Sequence, residues 1–280
     1  MHPVYVHIKK ELSPFYAEEE ASAMAKWISS DILHLSTLEL YTGKDMNFST
    51  KEWAELEDIL RRLKQREPLQ YILQEASFCG RSFHVEQGVL IPRPETEELV
   101  EWIVSDYREA GQVRILDIGT GSGCIPVSLA QLLPEAQVSS CDVSVEALRI
   151  AATNVKRYGD KVTLFCADIL KEELPECQVD VLVSNPPYIT ESERADMEAN
   201  VLDWEPELAL FVPDSDPLRF YRRIARKGLD WLSEGGALYF EINRAYGAET
   251  VRILEELGYR QIELRKDLSG NDRMIKAIRP

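Results

Sequence analysis

From residue 13 to about residue 73, apolar positions recur with the 3.6-residue period of helices that bury one face. Residues 17–28 are rich in Ala and Glu, and residues 32–40 carry leucines at helical spacing. Residues 50–65 form an amphipathic run behind a Ser49/Thr50 cap that ends in Arg61, Arg62 and Lys64, basic residues suited to the negative end of a helix dipole. Between residues 77 and 89 the period changes: Phe78, Cys79, Arg81, Phe83 and Val85 surround Gly80, the pattern of a short β-hairpin. A helix follows residue 91, with Leu99, Val100, Ile103 and Val104 on one face and acids in its first turn.

From Val113 onward, strand and helix patterns alternate. Strands are predicted over 113–118, 137–141, 162–166, 179–184 and 237–242, with helices from 124, over 144–158, around 218–232 and over 245–257. Repeated βα units predict an α/β, doubly wound, mostly parallel sheet covered on both faces, and the last two strands, 261–264 and 274–278, are close enough to form an antiparallel hairpin. The expected organisation is a small helical bundle over 1–74, a β-hairpin linker over 75–90 and the α/β domain over 91–280.

Charge narrows the partners. The 280 residues include 48 acidic and 32 basic side chains, a net charge of −16, which opposes binding to a phosphate backbone. No direct nucleic-acid partner is expected. Residues 1–20 lack a basic segment leading into an apolar core, so no signal peptide is expected, and no stretch has the length and apolarity of a membrane span. Cys79, Cys124, Cys141, Cys166 and Cys177 stand outside C-x-x-C pairs, which suggests reduced, mostly buried cytosolic thiols rather than a metal site.

In an open α/β sheet, ligands bind outside the carboxyl ends of the strands, and four such ends carry unusual residues. The first opens into Gly119, Thr120, Gly121, Ser122 and Gly123, whose glycines let backbone approach a ligand. The G-x-G-x-G spacing is not a dinucleotide fingerprint, and no G-K-[ST] follows, so a ligand without phosphates is expected. At the second end, Asp142 can accept both hydroxyls of a ribose, and at the third, Asp168 and Ile169 can meet an adenine edge and face. Each acid alone reads as a helix cap or loop residue, and together they describe an adenosine pocket. The fourth end is Asn185-Pro186-Pro187-Tyr188, where two prolines with fixed φ make the backbone stiff. All four histidines (His2, His7, His34 and His84) precede the α/β domain, which leaves it without a histidine base.

D-I-G-T-G-S-G, with an acid after the next strand, resembles the S-adenosylmethionine site of class I methyltransferases, and N-P-P-Y resembles the motif of those that methylate a planar nitrogen. I-P-R-P-E-T-E-E-L-V-E, P-L-Q-Y-I and the late D-R within residues 270–274 extend the likeness to the peptide chain release factor glutamine methyltransferases. The resemblance implies S-adenosylmethionine as cofactor, no metal, and transfer to glutamine N5 in the Gly-Gly-Gln loop of class I release factors. Cofactor binding then falls to residues 119–123, Asp142, Asp168, Ile169 and Asn185. Asn185 Oδ1 and the Pro186 carbonyl would accept the two hydrogens of the glutamine –NH2, Pro187 would stiffen the loop, and Tyr188 would offer a face to the planar amide. The helical bundle would dock the protein substrate. Competing readings are a methyltransferase of a ribosomal-protein glutamine, a nucleic-acid amino-group (adenine N6 or guanine N2) methyltransferase, and a non-catalytic scaffold. One departure is Asn243, where the family usually has glycine, and it leaves the local turn open.

Overall fold

The computed structural model describes residues 1–43, 48–171 and 177–280. They form two compact units, residues 1–73 with 199–204, and residues 74–198 with 205–280.

The first unit contains α1 (Pro3–Leu12), α2 (Glu18–Trp27), α3 (Thr37–Thr42), α4 (Thr50–Lys64) and α5 (Leu69–Leu73). Helix α1, outside the span expected from the sequence, buries Val4, Ile8 and Leu12 at four-residue intervals and starts on Pro3, whose missing N–H costs nothing at that position. Residues 32–40 are not one helix. Ile28–Ile32 closes as a π-helical turn through Leu33 N–H to the Ile28 carbonyl, His34 takes a left-handed φ of 53°, and α3 begins only after Ser36. Ser36 and Ser49 build capping boxes with Glu39 and Glu52, satisfying orphan N–H groups at the starts of α3 and α4. Ile8, Leu12, Ile28, Leu56, Leu60 and Leu63 fill the core of this unit.

The second unit opens with the hairpin β1 (Glu75–Phe78) and β2 (Arg81–His84), turned by Cys79 and Gly80, both at positive φ. Phe78 and Phe83 enter the core of the α/β unit, so the hairpin is packed into it. Next come α6 (Pro94–Tyr107), β3 (Arg114–Ile118), α7 (Cys124–Leu132), β4 (Gln137–Asp142), α8 (Val145–Arg157), β5 (Val162–Cys166) and β6 (Val179–Ser184). Short elements that the sequence pattern did not reveal follow in the chain: β7 (Ile189–Thr190), α9 (Ala199–Trp204), which belongs to the first unit, α10 (Glu207–Leu210) and β8 (Phe211–Val212). The chain ends with α11 (Arg219–Trp231), β9 (Leu232–Glu241), α12 (Gly247–Glu256), β10 (Arg260–Lys266) and β11 (Asp272–Ile278). Strand β9 begins earlier than the apolar run at 237 suggested, because Leu232 already pairs with Val179.

The seven-stranded sheet has the order β10-β11-β9-β6-β3-β4-β5, with β11 antiparallel to both neighbours and the remaining pairs parallel. Alternation sorts its side chains into two cores. Ile115, Val181, Val183 and Tyr239 pack with α6 and α7, whereas Leu116, Leu182, Leu238 and Phe240 pack with α11 and α12. The chain winds from β3 through β4 to β5, then crosses to β6 on the other side of β3, making a topological switch point there.

At the opposite end of β3, the Arg114 guanidinium and backbone N–H both donate to Asp180, and Ser233 donates to the same carboxylate. The Arg114 hydrogen bonds hold the Asp180 carboxyl down at about 2, against an ordinary value of 3.8. A depressed folded pKa adds stability above the unfolded value and loses it as pH falls through the folded one. The stability gap between the parent and Asp180→Asn, measured by urea titration, should therefore be largest above about pH 4 and narrow steadily toward pH 2. A gap that is constant over this range would remove Asp180 from the acid response.

Candidate active site

The strand register brings the four suspect loops to one edge. Ile118 lies opposite Cys141 on one side and Ser184 on the other, Asp142 lies opposite Cys166, and Ser184 lies opposite Phe240. Beyond these residues opens a cavity of about 260 Å³. Gly119, Thr120, Gly121, Ser122, Asp142, Asp168, Ile169, Asn185, Pro186 and Pro187 all line it.

Gly119 and Gly121 have φ of 84° and 52°, a left-handed backbone open to glycine at no steric cost. The loop is pinned from the second strand: Gly119 and Thr120 N–H donate to the Cys141 carbonyl, and Gly121 N–H donates to Asp142 Oδ2 at 3.0 Å. Gly123 is not among the lining residues. It caps α7 at a φ of 82°, and a Cβ there would stand 3.2 Å from the Ala151 side chain, so it sets the close packing of α7 on α8.

Asp142 accepts Gly121 N–H on one oxygen and Ser144 N–H on the other at 2.9 Å, which fixes its plane and leaves lone pairs on both oxygens. Burial raises its pKa, opposed by these backbone donors. Asp168 accepts Leu170 N–H at 3.0 Å, and Arg223 donates to the Ile169 carbonyl at 2.8 Å, so α11 holds the third loop in place. Ile169 is buried and supplies an apolar wall.

Asn185 is oriented by groups that the sequence reading did not assign. Its Nδ2 donates to Thr96 Oγ1 at 3.2 Å, and Thr96 donates in turn to Glu241 Oε2 at 2.6 Å. Tyr188 does not line the cavity: its hydroxyl donates to Glu241 Oε1 at 3.1 Å and its ring packs against the α11/α12 core. Glu241 is 1% exposed; burial raises its pKa, while the two hydroxyls and the nearby Arg273 charge act the other way. Asn243, whose turn was open, has a φ of −64°, so no glycine is required. It is buried, caps the 3-10 turn Arg244–Tyr246 through Ala245 N–H, and donates from Nδ2 to the Tyr188 carbonyl at 3.0 Å.

Asp117 is the other omission. It is fully buried two residues before Gly119 and accepts from Ser140 Oγ at 2.6 Å; desolvation raises its pKa to about 7. An acid inside an apolar strand, as in I-L-D-I or Y-F-E-I, was the available signal for both Asp117 and Glu241, since buried carboxylates are rare unless paired. The cysteines are less buried than expected. Cys124 and Cys141 are buried, Cys79 and Cys177 partly so, and Cys166 is exposed.

The chain is 50% identical over 280 residues, all of both chains, to a release factor glutamine methyltransferase of Bacteroides thetaiotaomicron. It belongs to the release factor glutamine methyltransferase family. A second such enzyme, from Flavobacterium psychrophilum, is 42% identical over 268 residues, covering 95% of this chain and 94% of that one. The methyltransferase small domain matches residues 96–202, and the PrmC N-terminal domain matches residues 5–73. Two solved structures share the fold. The hMettl16 catalytic domain in complex with an MAT2A 3′UTR hairpin has a TM-score of 0.57 at 16% identity, covering 85% of this chain and 84% of that one. A methyltransferase from Pyrococcus furiosus has a TM-score of 0.51 at 15% identity, covering 82% and 98%.

The cofactor of this methyltransferase is S-adenosylmethionine, and the lining residues fit it. The glycine loop offers bare backbone, Asp142 retains acceptor lone pairs for a diol, Ile169 gives an apolar face, and the carboxylates suit a cationic sulfonium. Among the described residues no cluster of His, Cys, Asp and Glu could hold a metal, and no helix is long and apolar enough to cross a membrane.

Replacing Asp142 by Ala should weaken S-adenosylmethionine binding by roughly 1.5–3 kcal/mol, the range for hydrogen bonds to a charged group. Isothermal titration calorimetry checks this directly. Parental affinity in the variant would exclude Asp142 from the cofactor site.

Proposed function

We infer that this enzyme transfers a methyl group from S-adenosylmethionine to the side-chain N5 of the glutamine in the Gly-Gly-Gln motif of class I peptide chain release factors, in the cytoplasm. The observation that carries the reading is the fixed amide of Asn185. Its Nδ2 is committed to Thr96, so its Oδ1 is the atom left to accept from a substrate, beside the stiff Pro186-Pro187 backbone and the glycine loop.

A glutamine amide nitrogen is a weak nucleophile because its lone pair is delocalised into the carbonyl, the resonance behind a rotation barrier of about 18–20 kcal/mol in peptides. When bound, S-adenosylmethionine supplies an electrophilic methyl group, its sulfur keeping the S–C bond pair as the nitrogen lone pair forms the N–C bond. The protein contributes alignment. Asn185 Oδ1 and the Pro186 carbonyl accept the two N–H groups, which turns the nitrogen lone pair toward the methyl and raises electron density on nitrogen. Such placement is worth up to ~7–11 kcal/mol. Among the described residues no histidine lines the cavity, so no imidazole base stands at the site; the methylated nitrogen, strongly acidic, loses its proton to water or along the acceptor oxygens. Tyr188 acts by holding the loop through its hydroxyl and carbonyl.

We assign docking of the protein substrate to the helical unit. None of its described residues lines the cavity, and it exposes Leu38 by 72% and Tyr41 by 58% on α3. Substituting both by Glu should raise KM for intact release factor several-fold, while methylation of a short Gly-Gly-Gln peptide stays unchanged. Equal kinetics on both substrates would remove α3 from docking.

The activity itself is tested by incubating the protein with methyl-labelled S-adenosylmethionine and release factors, ribosomal proteins, RNA or DNA, then mapping the label by mass spectrometry. Label on the Gly-Gly-Gln glutamine is expected. Label only on a ribosomal protein or a nucleic acid would overturn the assignment. Asn185→Ala should lower kcat about a hundredfold or more, as losing one preorganised transition-state hydrogen bond does, and Asn185→Asp should fall between it and the parent. If both kept parental kcat and raised only KM, Asn185 would be a plain binding contact.

A further inference from the structure

An asparagine side chain is nearly symmetric in shape about its Cβ–Cγ axis, so packing alone does not decide which end is oxygen and which is nitrogen. The alignment chemistry tolerates one orientation only. With Oδ1 toward the substrate, Asn185 accepts an amide N–H. Flipped, it would present a donor to another donor.

The decision is taken by Thr96 in the cavity wall and by Glu241 behind it. Thr96 Oγ1 carries a single hydrogen and could either donate to Asn185 or accept from it. Its hydrogen is committed to Glu241 Oε2 at 2.6 Å. Thr96 is therefore left with lone pairs toward Asn185, and only Nδ2 can meet them, as it does at 3.2 Å. The second Glu241 oxygen accepts from the Tyr188 hydroxyl at 3.1 Å. One buried carboxylate thus holds both ends of Asn185-Pro186-Pro187-Tyr188. The groups around it are two hydroxyls as donors, the Arg273 guanidinium as counter-charge and Glu95 as a like charge, with Arg273 itself held by Asp267 and by the Ile242 carbonyl.

We propose that Glu241 is a positioning residue for methyl transfer, which acts through Thr96 to fix the orientation of the Asn185 amide so that Oδ1 faces the substrate. The proposal deepens the glutamine-methylation reading and rests on it. Glu241 does not line the cavity, so it has no contact with substrate or cofactor to lose.

Glu241→Gln keeps the size of the side chain but has one acceptor oxygen for two hydroxyls, and its –NH2 can donate to Thr96 and free the Thr96 hydrogen to capture Asn185 Oδ1. Methylation of release factor by the parent serves as the control, and a parent that transfers no methyl group would count against the glutamine reading itself. With an active parent, Glu241→Gln should lower kcat by about ten- to a hundredfold, the scale of one misdirected hydrogen bond, with KM and the calorimetric affinity for S-adenosylmethionine unchanged. Thr96→Val should show the same loss, Thr96→Ser should recover most of it, and the double variant Thr96→Val/Glu241→Gln should be no slower than the worse single variant. Parental kcat in Glu241→Gln, or losses that multiply in the double variant, would overturn the proposal, as would a fall in cofactor affinity equal to the fall in kcat. If Glu241→Gln does not fold, Thr96→Val against Thr96→Ser decides: a hydroxyl-dependent kcat supports the relay, and equal kcat in the two variants overturns it.

Discussion

The site depends on the parallel pairing of β3 with β6. That register sets Ile118 opposite Ser184, and the Ser184 hydroxyl locks it by donating to the Ile118 carbonyl at 2.7 Å. The next residues on each strand are the first glycine of the loop and Asn185, so the cofactor loop and the substrate acceptors emerge side by side. They are close enough that a Cβ on Gly119 would stand 3.9 Å from the Asn185 carbonyl. A one-residue slip would turn alternate side chains of β6 to the wrong core and move Asn185 away from the loop. Because Val181, Leu182 and Val183 are all fully buried between helix layers, such a slip is costly, and the active-site geometry inherits the rigidity of the core.

The same edge of the sheet collects carboxylates in a buried setting. Asp117, Asp142 and Glu241 all have pKa values raised by desolvation, a cost that the fold offsets with donors: Ser140 for Asp117, backbone N–H groups for Asp142, and Thr96 with Tyr188 for Glu241. Acceptors and negative charge predominate at these strand ends. That matches a reaction between a cationic methyl donor and a neutral amide whose hydrogens need acceptors, and it makes a strong base unnecessary where position supplies the driving force.

Much of this was legible in the sequence because strand ends and turns carry local signals. G-T-G-S-G, Asp142, Asp168 and N-P-P-Y each announce a backbone exit from a strand, and the alternation of βα patterns brings them to one edge. The Thr96–Glu241 relay was not legible, since Thr96 and Glu241 lie 145 positions apart and meet only when β9 pairs with β6 and α6 packs on the sheet. The role of Asn243 was hidden for a similar reason: its partner is a carbonyl on another loop. Helix α1 was missed although Val4, Ile8 and Leu12 show the spacing, because four-residue intervals in so short a run compete with the Lys, Glu and Tyr around them. The short elements between residues 189 and 212 have no periodicity to read; ion pairs and caps hold them, such as Glu205 with Arg93 and with Ile91 N–H.

Methyl transfer in this enzyme turns on the direction in which the Asn185 amide points. A crystal structure of the enzyme with S-adenosylhomocysteine and a Gly-Gly-Gln peptide, at a resolution that assigns amide ends from the hydrogen-bond network, tests it most directly. The glutamine –NH2 is expected at about 3 Å from both Asn185 Oδ1 and the Pro186 carbonyl, with Asn185 Nδ2 on Thr96. A glutamine amide bound elsewhere, or Asn185 turned with its nitrogen to the substrate, would contradict it.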